Sequence, residues 1–132
     1  MKIWLAMGFA VASLLLGCAP QSAGQLQERY DAAKAIDNIS ERDLAMENVA
    51  KDSADANVPD LALNAVNSIA SEVDKDNTAA YCARKMDKHG NRTAAEVFVH
   101  VIQNGGLRDQ LHFEFAAEAP QPPSPAPAAT QP

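Results

Sequence analysis

The 132-residue chain predicts an all-α fold, built as a short stack of antiparallel helical hairpins that repeat every 33 residues. Three observations carry this reading. Apolar residues recur at helical spacing through six successive stretches. Caps, glycines or a proline separate those stretches. Residues of one kind also return at a fixed offset of 33: Ile36, Ile69 and Ile102, then Arg42, Lys75 and Arg108, then Asp43, Asp76 and Asp109.

Taken in order, Leu26, Tyr30, Ala33 and Ile36 give the apolar face of a first helix that starts near Gln25. Asn38 and Ser40 break the pattern and offer a cap to a second, whose inward stripe is Ala45, Met46, Val49, Ala50 and Ser53. A third begins near Pro59, where the missing N–H has no partner to lose, with Asn57 as its expected cap. Its face is Ala62, Leu63, Val66, Ile69 and Ala70. Asp76-Asn77-Thr78 is expected to cap a fourth helix lined by Ala79, Cys82, Ala83 and Met86. Gly90 and Asn91 stop that helix and start a fifth, with Ala94, Ala95, Phe98, Val99, Val101 and Ile102, which Gly105-Gly106 is expected to close. The sixth runs from Leu107 to about Ala117. Its His112-Phe113-Glu114-Phe115 alternates like a strand, but no second strand candidate exists to pair with it, so helix is the expectation.

The offset has a physical meaning. Ala50 and Ala62 let the two helices of one hairpin approach closely, and Ala83 and Ala95 do the same one period later. Arg29 stands where those later copies have Ala62 and Ala95, as expected of a capping helix with a more polar face. Small residues in matching places of both helices resemble tetratricopeptide-like hairpins. The resemblance implies an α-solenoid spanning residues 25–117, and no binding residues are carried over from it.

Ahead of this domain, Lys2, an apolar run and small residues form a secretory signal. The run is shorter than the roughly 20 residues a membrane span needs. Leu15-Leu16-Gly17-Cys18 closes it and resembles the lipobox of bacterial lipoproteins. The resemblance implies a signal peptide over 1–17, cleavage between Gly17 and Cys18, and fatty acylation (palmitate) on Cys18, which anchors a tether over 18–24. Each buried CH₂ contributes about 0.8 kcal/mol, so two or more chains hold where one does not. Ala19 after the cysteine then points to the outer membrane, facing the periplasm.

Loss of Lys2 leaves the mature chain more acidic than the net charge of −6, which disfavours nucleic acid and anionic lipid head groups as partners. The basic cluster Arg84, Lys85, Lys88 and Arg92 is interleaved with Asp87 and reads as a solvated helix end. Once Cys18 carries lipid, Cys82 has no disulfide partner; it is either a buried small hydrophobe or a reactive thiol beside Arg84, Lys85 and His89. Register with Val49 places it inward. His89, His100 and His112 lack metal-ligand spacing, and Asp52, Asp55 and Asp60 lack calcium-loop spacing, so no metal, cofactor, catalytic residue or small-molecule substrate is expected.

From residue 118 the chain turns to Pro120, Pro122, Pro123, Pro125, Pro127 and Pro132, a composition that builds no core and is expected to be a disordered tail reaching roughly 40 Å when extended. The functional expectation is a non-enzymatic, membrane-anchored interaction or scaffold module with an envelope protein partner. The alternatives are an envelope spacer working through its tail and a small Cys/His enzyme.

Overall fold

The structure, a computed structural model, describes residues 21–118. These form six helices: α1 (Ala23–Lys34), α2 (Ile39–Asp55), α3 (Pro59–Asn67), α4 (Glu72–Lys88), α5 (Arg92–Val101) and α6 (Gly105–Glu118). No strand occurs among the described residues, and His112 to Phe115 is helical. The fold class is all-α.

Local chemistry explains each start. Ser22 and Gln25 close a reciprocal capping box, so α1 begins ahead of Gln25: Ser22 Oγ accepts from the Gln25 N–H at 3.3 Å, and Gln25 Oε1 from the Ser22 N–H at 3.0 Å. Asn38 caps α2 and Asn91 caps α5, each accepting from the amide three residues on. Gly90 supplies the left-handed turn between α4 and α5, at φ 76°.

Three expected boundaries are corrected. Asn57 does not cap α3. It takes a left-handed φ of 55°, which asparagine tolerates, and turns the chain so that the Val58 N–H reaches back to the Ser53 carbonyl at 2.8 Å. Asp76-Asn77-Thr78 does not cap α4 either. Ser71 does, accepting from the Asp74 N–H at 3.4 Å, and Thr78 lies inside the helix with its hydroxyl bonded to the Asp74 carbonyl at 2.6 Å. Finally, Gly105-Gly106 opens α6 instead of closing α5, because Asn104 Oδ1 accepts from the Leu107 N–H at 3.1 Å and starts the helix there.

One apolar cluster runs through the described residues. Met46, Val49 and Ala50 of α2, Ala62 and Val66 of α3, Cys82, Ala83 and Met86 of α4, and Ala95, Phe98 and Val99 of α5 are all buried, and Leu111 and Phe115 of α6 close it. α2 packs on α1, α3 and α4, while α4 packs on α2, α3, α5 and α6. Alanine at so many contact points lets backbones approach closely, and Phe98 and the two methionines fill the space that remains.

Two carboxylates fix how successive helices meet. Asp43, the fifth residue of α2, accepts from the Ala70 and Ser71 amides at 3.0 Å each, in the turn that leads into α4. Asp76, the fifth residue of α4, accepts from the Gln103 and Asn104 amides at 2.8 Å each, in the turn that leads into α6. Each carboxylate therefore binds the start of a helix one hairpin later, and each is only 7% exposed. Asp109, the fifth residue of α6, is exposed and meets no such amide pair among the described residues.

Asp43→Ala and Asp76→Ala should each cost about 2 kcal/mol in urea unfolding, since each loses a charged acceptor and strands two amides. Asp109→Ala should stay within about 0.5 kcal/mol in the monomer.

Candidate interaction surface

Gly17 and Cys18, the expected cleavage and lipidation residues, lie outside the described residues, as does the tail from residue 119 on. Within the described residues, several of the side chains that offer chemistry are held in structural contacts. Cys82 is fully buried, its Sγ 3.6 Å from the Ala50 carbonyl. Burial, reinforced by the nearby Asp55 charge, pushes its thiol up from 9.0 to about 12. A thiol held neutral in this way is a packing group at physiological pH.

Asp52 takes the Arg29 guanidinium at 2.6 Å, and Asp55 takes the Lys85 ammonium at 2.9 Å and the Tyr81 hydroxyl at 3.0 Å. Burial and the bond to Asp55 raise the Tyr81 hydroxyl above its ordinary value, and the bond to Asp55 likewise raises Lys85. The Lys51 and Lys85 nitrogens stand 5.7 and 5.3 Å from the Tyr81 ring centre, so the ring has two cations near it. Asp60 is apart from this group, in the first turn of α3. Among the described residues no three His, Cys, Asp or Glu side chains converge as a metal cage. His89 ends α4, His100 is exposed on α5, and His112 Nδ1 lies 3.8 Å from Glu96.

The basic cluster is divided in the same manner. Arg84 donates to both oxygens of Glu114 at 2.8 and 3.1 Å, joining α4 to α6. Arg92 binds Asp87, donates to the Phe115 carbonyl at 2.7 Å and lies over the Phe115 ring at 4.7 Å, so one side chain joins α4, α5 and α6. No motif in the sequence marks these contacts. The signal that finds two of them is opposite charge at a separation of 30, in Asp55–Lys85 and Arg84–Glu114.

A groove of about 280 Å³ lies between α3 and α5. Leu63, Ala94, Val97 and Phe98 give it an apolar lining, and Asp60, Asn91 and Thr93 add polar groups. Both helices rest on α4, and Val97 remains 42% exposed. A second cleft, of about 380 Å³ between α4 and α6, is lined largely by the charged residues already described and reaches Glu118, the last described residue. An apolar groove with a few polar groups suits a peptide or helix of another protein better than a charged polar ligand. No helix among the described residues is long and apolar enough to cross a membrane.

Native Cys82 should resist a thiol reagent at neutral pH and react only as fast as the protein unfolds. Its raised pKa also means that stability is full below pH 9.0 and declines above it, as the unfolded thiol ionises first. Glu114 behaves in the opposite sense. Its bonds from Arg84 and then Gln110 hold it below the usual 4.5, so its contribution is full above that pH and is lost as pH falls below it. Glu114→Gln should cost about 0.5 kcal/mol at neutral pH, as for an exposed pair, and flatten that acid loss in a pH series of unfolding curves.

No protein-family model, curated protein or solved structure matches this chain.

Proposed function

We propose that this chain is a lipid-anchored, non-enzymatic helical-repeat protein of the bacterial envelope that presents the α3–α5 groove to an envelope protein. The observation that carries the reading is the apolar groove, set between helices whose partners are fixed by carboxylates one period apart. The repeat is supported by α2, α4 and α6 starting at residues 39, 72 and 105, by the two matching amide pairs, and by the offsets in the sequence. The six helices are then an opening helix, two hairpins and a closing helix of a short α-solenoid. Anchoring rests on the Leu15-Leu16-Gly17-Cys18 resemblance, with the outer membrane favoured by Ala19. The proline-rich tail is an extension of this module, not its working part.

Cys18→Ser should abolish incorporation of labelled palmitate in cells and release the protein from membranes. A photo-crosslinking residue at Val97 of the lipidated chain should give a discrete adduct with an envelope protein, and one at exposed Glu41 of α2 should give none. Loss of function on deleting residues 120–132, with no adduct at position 97, would replace this reading with that of a spacer.

A further inference from the structure

The two ends of the helical stack are complementary to each other. At the α6 end, Asp109 is the third carboxylate of the series Asp43, Asp76, Asp109, and it is an exposed acceptor without its amide pair among the described residues. At the α1 end, the Asp37 and Asn38 amides stand where Ala70–Ser71 and Gln103–Asn104 stand one and two periods later. Both residues are exposed, and neither amide meets an acceptor among the described residues. A free carboxylate at one end thus matches a free amide pair at the other.

The side chains around these groups follow the same pattern. Ala79, Ala80 and Ala83 of α4 are buried against their neighbours, whereas the residues 33 later on α6, His112, Phe113 and Ala116, are exposed. Phe113 is 78% exposed, the highest value among the large apolar side chains described. Ala32 of α1 is exposed and Ile36, just past its end, is half-buried, while Ala65 and Ile69 in the same register are 0% and 4% exposed. The sequence after Pro120 carries prolines at 122, 123, 125 and 127, which lack the amide that a helix interior requires. A helix of the right register does exist in every other copy of the chain, and it is α1.

We propose that copies of this protein associate head to tail, the α6 face of one covering the α1 face of the next. Asp109 accepts the Asp37 and Asn38 amides of the second copy, and Phe113 packs toward its Ala32 and Ile36. The contact continues the 33-residue register across the junction, so the proposal rests on the repeat reading above and is independent of the groove. Arg29 takes the close-packing place that Ala62 and Ala95 hold inside the chain, which makes the junction looser than the internal ones and the association concentration-dependent. Because the two faces differ, the interface is heterologous and builds rings or open rows rather than closed two-fold dimers.

Sedimentation velocity of the mature full-length chain carrying Cys18→Ser tests this. The expected result is a rise in sedimentation coefficient with concentration, abolished by Phe113→Glu at one end and by Ala32→Glu at the other. Both positions are exposed, so both variants should keep the helical circular dichroism of the parent. An equimolar mixture of the two monomeric variants should form a dimer and nothing larger, since only one productive face pair remains, and Asp109→Ala should weaken association at least tenfold. A parent that stays monomeric up to its solubility limit, single variants that still assemble, or a mixture that stays monomeric would each overturn the proposal. A groove that captures no partner through position 97 would leave these results unchanged.

Discussion

The arrangement of helices depends on a carboxylate that reaches past its own hairpin. Asp43 and Asp76 each accept two amides from the turn that begins the next long helix. A turn of this kind would otherwise hold its amides toward solvent and vary in direction. Bonding both to one buried carboxylate fixes where the following helix starts and how it lies on the preceding one. The alanine-rich core makes this necessary. Ala50, Ala62, Ala83 and Ala95 permit close approach but offer little shape to prevent sliding, so polar bonds at the turns supply the register that bulky side chains supply elsewhere.

Electrostatics complete the frame on the outside. Arg29–Asp52 ties α1 to α2, Lys85–Asp55 ties α4 to α2, and Arg84–Glu114 ties α6 to α4. Each pair is partly exposed and individually weak, and together they link α1, α2, α4 and α6. Arg92 adds a stronger fastening at the α6 end, with a carboxylate, a backbone carbonyl and an aromatic face around one guanidinium. Several of the charged and nucleophilic residues thus serve the fold: Asp52 and Asp55 hold cations, Arg84 and Arg92 hold carboxylates, and the Cys82 thiol is buried. The α3–α5 groove and Phe113 of α6 keep apolar side chains at the surface.

Much of this was legible in the chain. The inward stripes Met46–Val49–Ala50 and Cys82–Ala83–Met86 are buried as their spacing implies, and Asn38, Pro59 and Asn91 open the helices they mark. Two of the three errors share one cause. Asp76 looks like a helix cap because short acidic side chains usually bond amides close by in sequence, yet its partners lie 27 and 28 residues on. Gly105-Gly106 looks like a stop because glycine commonly ends helices, yet Asn104, held by Asp76, makes it a beginning. Asn57 fails as a cap for a local reason: its left-handed turn goes with a bond from Val58 to Ser53 and leaves its own side chain out of the cap. The groove was not legible at all, since Leu63 looks like an ordinary stripe residue and Val97 falls outside the stripe of its helix until α3 and α5 are set apart.

Hydrogen exchange on the monomeric chain tests the role of the two carboxylates most directly. The Ala70, Ser71, Gln103 and Asn104 amides should exchange only with opening of the core, as slowly as the buried helices, while Asp37 and Asn38 exchange at the rate of an open loop. Equal, fast exchange at all six amides would contradict the account, because the turns would then be free to move and the helical register would have to come from packing alone.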